Sequence, residues 1–519
     1  MYTFSNSLKT LAFILMAVGI LGVGYSFFTA PTSLEEVEQI LAAEHHGGHA
    51  AAGHEAPEAE AHHEAVEVNA VVEHSAAEAS HEGHDTVQAV ATHTEHDTAV
   101  AETAHNDAAS PTGDAQKPAH NEHADVAATA DEAALATTHK SHDVHAAHDE
   151  HKAHAEHVFK QLKNKPWSAV YVAALFFTLL SLGVLAFYAI QNAAQAGWSP
   201  VLFRVMEGIT SYLIPGAVIV FVLLALGVFR VHDIFIWMDP EVVKEDHLIN
   251  QKSGYLNGTF FLIRAVIFFG GWIFYRQYAR KQSLAQDDAT DNIPYKKSFK
   301  AAAGFLVFFI VSESIMSWDW IMSVDPHWYS TLFGWYVFAS FFVSGITAIA
   351  IITLYLKSKG YLEYVNTSHI HDLAKFMFGI SVFWTYLWFS QFMLMWYADM
   401  PEEVVYFKMR IDNYNLPFFG MVVMNFVFPI LILINTDFKR LSWIVVMAGI
   451  VILCGHYVDF FNMIMPATVG DQWFIGAGEI GAVLFFLGLF IFVVFTALTK
   501  VPLLAKRNPL IEESKHFHY

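Results

Sequence analysis

Residues Trp167–Ile190, WSAVYVAALFFTLLSLGVLAFYAI, run for 24 positions without one charged side chain. About 20 apolar residues in an α-helix span the hydrocarbon core of a bilayer, where only a helix or a closed barrel satisfies its own backbone. This stretch is therefore read as a transmembrane helix. Nine more runs of the same kind accompany it: Leu8–Phe28, Ile209–Phe229, Thr259–Tyr278, Ala301–Met322, Thr331–Leu356, Leu373–Tyr397, Pro417–Asn435, Leu441–Met465 and Ile475–Leu498. The expected fold is all-α, a polytopic membrane protein with ten transmembrane helices. Lys9 precedes the apolar part of the first run and small residues follow near Thr29-Ala30, as in a signal peptide. It is read as an uncleaved helix.

Composition agrees with lipid as solvent. Only 15% of the 519 residues are charged and 55% are hydrophobic, against about a quarter charged in soluble domains. The formal net charge of −21 is concentrated: between Ala43 and Val158 three lysines face 23 acidic residues, which places −20 of it there. The remainder is nearly neutral, so no nucleic-acid partner is expected. Four segments result: an N-terminal transmembrane helix (1–42), a His/Ala/acidic loop (43–158), a nine-helix membrane domain (159–500) and a cytoplasmic tail (501–519). The loop carries 21 of the 29 histidines and almost no aromatics. It cannot bury enough apolar surface to offset its ordering entropy and is expected to be disordered. Its imidazoles and carboxylates would bind divalent metals or protons weakly, with no discrete site.

Lysine and arginine in short loops set orientation. Arg276, Arg280, Lys281, Lys296, Lys297 and Lys300 follow the fourth helix, Lys357 and Lys359 the sixth, Lys439 and Arg440 the eighth, and Lys500, Lys506 and Arg507 the tenth. That side reads as cytoplasmic, with both termini on it. The opposite loops carry Asp239-Pro240, Asp325-Pro326, Met400-Pro401 and Met465-Pro466, and proline there is expected to stop four helices alike. Lys160, Lys163 and Lys165 run against this parity.

Ionisable residues inside a bilayer are costly and mark function. They are Arg264 in the fourth helix, Glu313 and Asp319 in the fifth, His456 and Asp459 in the ninth, and Glu479 in the tenth, with Asp325 and His327 just past the fifth. Helical spacing puts Ser312 on the face of Asp319, Ser317 on that of Glu313, and His456 on that of Asp459. One cation, Arg264, cannot neutralise four carboxylates, so some must be protonated, solvated or part of a proton route. These residues are the proton-relay candidates, with Asp319 first among them because Asp325 and His327 could pass its proton outward. His371, Asp372 and Lys375 form a second candidate group at the cytoplasmic mouth, where a solvated helix end is the plainer reading. The single cysteine, Cys454, can neither pair within the chain nor hold an iron–sulfur cluster. Only His456 is well placed for a haem, so no catalytic residue, metal site or cofactor of its own is assigned. The aromatic run Phe383–Gln391 could line a quinone ring, though such runs more often face lipid or core.

Two stretches carry a resemblance. Trp318-Asp319-Trp320-Ile321-Met322-Ser323-Val324-Asp325-Pro326-His327-Trp328-Tyr329-Ser330-Thr331 and Phe389–Glu403, FSQFMLMWYADMPEE, resemble signatures of the ActF family of bacterial alternative complex III, a quinol:cytochrome c oxidoreductase. These are integral membrane proteins of the polysulfide-reductase type. The likeness covers about residues 160–500 and the first helix, leaving the His-rich loop as an insertion. It implies two four-helix bundles with flanking helices in a bacterial inner membrane. It further implies menaquinol or another quinol nearby, and haem c and iron–sulfur clusters on partner subunits. The implied partners are a multihaem cytochrome c subunit, an iron–sulfur subunit, a sister membrane subunit and a terminal oxidase. In that family the sister subunit is the better candidate for quinol oxidation, and this type is credited with support and a proton path. Two rivals remain: a purely structural scaffold, and a His-loop divalent-metal transporter, which would need His and carboxylate ligands repeated across helices.

Overall fold

The computed structural model describes residues 2–50, 131–398 and 401–518, with side chains over 2–42, 151–398 and 403–518. Most of the His-rich loop lies outside the described residues. Among the described residues ten helices are long and apolar enough to cross a membrane: α1 (Asn6–Thr29), α2 (His151–Ala193), α3 (Pro200–Val228), α4 (Gly258–Asp288), α5 (Ile293–Val324), α6 (Phe333–Ser358), α7 (Thr367–Ala398), α8 (Asn415–Leu433), α9 (Ser442–Val469) and α10 (Ala477–Leu498). The chain is an all-α polytopic membrane protein.

Contacts sort the helices into two bundles. α3 packs on α4 and α4 on α5, while α2 closes this first bundle through Thr178 beside Gly216 of α3 and the Tyr171 hydroxyl, which donates to Trp320 O of α5 (2.8 Å). In the second, α6 packs on α7 and α9, and α8 packs between α7 and α9. α1 lies along α10 at the flank. The two bundles meet where α5 packs on α6 and where α2 crosses α6. α2 and α6 are almost wholly enclosed by protein, and their backbones approach at Gly183 and Gly345. A Cβ on Gly183 would sit 2.5 Å from Phe341 O. With lipid outside, no hydrophobic force pulls helices together, and such small-residue crossings supply close packing instead. The α1–α10 seam repeats the device at Gly19, Gly22, Gly481 and Gly488.

The ends alternate as expected. At the proline-bearing end Asn164 bonds Asp233, and Lys252 Nζ donates to Pro326 O (2.5 Å). At the lysine-bearing end Lys506 N donates to Asp287, and Asn366 Nδ2 to Phe517 O (2.6 Å). Gly360, at φ +81°, turns the chain out of α6 in the left-handed conformation that favours glycine.

Two expectations need correction. The segment 43–158 is not uniformly without structure, because helices Leu34–Ala50 and Asp131–Ala193 run into it from both sides. Alanine-rich sequence extends an existing helix at little cost, since nucleation has already been met. Nor do the four prolines act alike. Pro240 and Pro401 begin the short helices Pro240–Glu245 and Pro401–Asn413, where a missing N–H costs nothing. Pro466 lies inside α9, which continues to Val469.

Candidate functional site

Pro466 offers the way in. A proline cannot bond the carbonyl four residues earlier, here Asn462 O, and Arg410 takes that acceptor: its Nε donates to Asn462 O (2.9 Å) and Nη2 to Met463 O (3.4 Å). Arg410, 3% exposed, comes from helix Pro401–Asn413 and stacks 3.3 Å above the Tyr406 ring. Beneath it Tyr336 of α6 donates to Asp459 Oδ1, and Trp384 Nε1 of α7 donates to Asp459 Oδ2 (2.8 Å). His456 Nδ1 lies 3.7 Å from Asp459 Oδ2 and 3.0 Å from Ser340 Oγ. Asp459 and His456 are fully buried. Among the described residues Asp459 makes no ion pair with lysine or arginine.

The polar column continues past Asp459. Among the described residues His456 Nε2 has no partner, and neither do Oδ1 and Nδ2 of Asn425, also fully buried. Asn425 lies in a π-turn, Val423–Val427, of α8 and packs against Gly455, the neighbour of His456. Pro429 removes a backbone bond just beyond, and π-turns at such places often mark functional sites. Buried polar atoms are almost always paired, so three unpaired ones in one region call for a reason. A cleft lined by Phe333, Tyr336, Gln391, Tyr406, Arg410 and Phe418 opens above the group with about 10 Å³ of free space. That is room for about one water molecule and not for a quinone ring.

In the first bundle the preferred relay residue is already paired. Arg264 grips Asp319 with two bonds, Nε–Oδ2 2.5 Å and Nη2–Oδ1 3.0 Å, and donates to Tyr255 O (3.2 Å). Burial and the neighbouring Asp319 push the Tyr255 phenol above its usual range. His327 does not face Asp319; its Nε2 meets Asp246 Oδ2 at 2.5 Å, and that bond holds the Asp246 carboxyl below the usual range. Asp325 follows α5 in the same loop, its N–H on Met322 O. Among the described residues no direct hydrogen bond links Asp319, Asp325 and His327. Breaking a buried pair strands a charge and costs about 3–5 kcal/mol. Arg264→Met should lose that much stability in detergent unfolding, and Arg264→Met with Asp319→Leu should recover most of it. An unchanged single variant would show that the pair carries no weight.

Among the described residues the Glu313 carboxyl accepts from Ser314 (3.2 Å) and Ser317 (3.3 Å), both of its own helix. Glu479 caps α10 by accepting from Gly476 N (2.9 Å). Asp372 pairs with Lys375 (3.1 Å) at the start of α7, beside His371. Arg264 is not the sole buried cation: Arg204, Arg410 and Lys165 are buried too. Arg204 bonds Glu207 (2.9 Å) and Asp287 (2.6 Å), and Tyr188 donates to Glu207, a network joining α2, α3 and α4 at the lysine-bearing end. An apolar-walled crevice of about 590 Å³ lies between α4 and α5, with Tyr275, Phe305, Phe308, Lys297 and Lys300 on its rim and floor. Among the described residues no three His, Cys, Asp or Glu converge as metal ligands. No protein-family model matches the chain, and no curated protein is significantly similar to it.

Proposed function

We propose that this chain is a membrane subunit of a bacterial inner-membrane quinol:cytochrome c oxidoreductase of the alternative complex III type, and that it relays protons through the α6–α9 bundle. The observation that carries this reading is Asp459. It is a fully buried carboxyl group bonded by a phenol and an indole, with an imidazole 3.7 Å away and Arg410 nearby but bonded to carbonyls. Unlike the Arg264–Asp319 pair, Asp459 has no lysine or arginine partner among the described residues to make it a clamp between helices, and replacing a buried polar group by apolar side chains is often neutral or stabilising. Around Asp459 the donors can hand on a proton. Tyr336 and His456 both give and accept one, His456 Nε2 lies towards the lysine-bearing end without a partner among the described residues, and the Asn425 amide beyond it can orient a water but not carry a proton.

Redox centres belong, in this reading, to a multihaem cytochrome c subunit and an iron–sulfur subunit. Menaquinol or another quinol is oxidised at the sister subunit, as the family resemblance implies, and the cleft over Asp459 serves water and protons, with about 10 Å³ of free space. A second reading, a scaffold without proton traffic, is favoured by the Arg264–Asp319 pair, which clamps α4 to α5.

An affinity tag on the chain tests the assignment. Purification from native membranes should bring a multihaem cytochrome c, an iron–sulfur protein and a second multi-helix membrane subunit in equal amounts. Recovery of the chain alone, or with non-redox partners, would sink it.

A further inference from the structure

A pocket of about 170 Å³ opens at the proline-bearing end among α1, α2 and α10, lined by Tyr25, Ser26, Lys165, Phe474, Gly476 and Glu479 among others. It holds far more than the roughly 10–15 Å³ that one water needs. Two opposite charges face it without bonding each other. Lys165, 8% exposed, donates from Nζ to Gln472 O (3.2 Å) and sits 3.0 Å over the Phe474 ring. Glu479, 3% exposed, accepts from Gly476 N at Oε2, while Oε1 is buried with no partner among the described residues. Lys165 has three N–H donors and the protein engages one with a hydrogen bond. The pocket therefore offers one vacant anionic acceptor and spare cationic donors, and the N-terminus of α10 adds positive potential.

We propose that this pocket binds the ammonium–phosphate headgroup of a bilayer aminophospholipid. The ammonium donates to Glu479 Oε1 and the phosphate accepts from Lys165. The surroundings suit a lipid. Tyr25 and Phe474 are 60% and 62% exposed at the rim, where aromatic side chains sit at the membrane–water boundary. α1 presents Leu21 and Phe28 outward as a track for acyl chains. Choline has no N–H for Glu479, glycerol has no ammonium, and serine would bring a second carboxylate against Glu479, so phosphatidylethanolamine is the species selected.

The full chain, delipidated in detergent, is titrated with phosphatidylethanolamine, phosphatidylcholine or phosphatidylglycerol and read by native mass spectrometry. Phosphatidylethanolamine should bind about tenfold tighter than either, a difference of about 1.4 kcal/mol. Glu479→Gln keeps a capping side chain and should abolish the preference over phosphatidylcholine, while Lys165→Gln should weaken both lipids. Equal binding of the three lipids by the unaltered chain, or a preference that survives Glu479→Gln, overturns the proposal. If the variants do not fold, the ranking on the unaltered chain decides alone. Free O-phosphoethanolamine should compete poorly; competition as strong as the lipid's would assign the pocket to a soluble zwitterion and overturn the lipid.

Discussion

Asp459→Asn is expected to assemble at normal levels while turnover of the complex falls about a hundredfold, the lower end of what a positioned proton-transfer group contributes. Asparagine fits the site. Its oxygen still accepts from Trp384 Nε1, and its amide can donate to the Tyr336 hydroxyl, which then acts as acceptor. Packing is unchanged, so a structural role would leave rate and stability alone. What asparagine cannot do is take up and release a proton. Quinol oxidation and protons released per electron, measured in the purified complex, separate the readings. Normal turnover and stoichiometry in a fully assembled Asp459→Asn complex would remove Asp459 from any relay. Asp319→Asn is the contrast: it weakens the grip on Arg264 and should lower stability, yet whatever complex survives should turn over normally.

That contrast reverses the order of preference drawn from the sequence, and the reason is physical. Ionisable residues in apolar runs are legible because their cost in lipid makes them rare. Arg264, Glu313, Asp319, His456, Asp459 and Glu479 were all visible in this way. Pairing is not legible, because Arg264 meets Asp319 across 55 positions through a helix rotation that no local spacing fixes. The missed groups lie where segments counted as loops proved helical. Arg410 sits in Pro401–Asn413, whose mean hydropathy is too low for a span, though Tyr406, Phe407 and Arg410 share its buried face. Arg204 and Glu207, three apart and flanked by Phe203, Val205, Met206 and Ile209, carried a readable sign of burial. The ten spans themselves were legible because length and apolarity are one-dimensional properties. Which helices meet is a three-dimensional property, and in lipid it is written in small residues.

Gly345 makes that point with the largest expected loss. A Cβ at this position would lie 2.8 Å from Val184 N, 3.0 Å from Gly183 C and 3.0 Å from Leu180 O. All three are backbone atoms of α2, which cannot swing aside as a side chain does. The two helices must separate, and α2 and α6 are the most enclosed in the molecule, so separation disturbs both bundles. Overpacking usually costs about 1–3 kcal/mol; Gly345→Ala is expected at or above the top of that range, and Gly345→Leu to yield no folded protein. Gly379, on α7, gives the internal control, because nothing lies within 4 Å of a Cβ built there. Gly379→Ala should be neutral or slightly stabilising, since alanine restricts the unfolded chain. Thermal unfolding of both alanine variants in one detergent checks the pair. Equal melting temperatures would mean that the α2–α6 crossing yields easily, and that the two bundles are not held together by this contact.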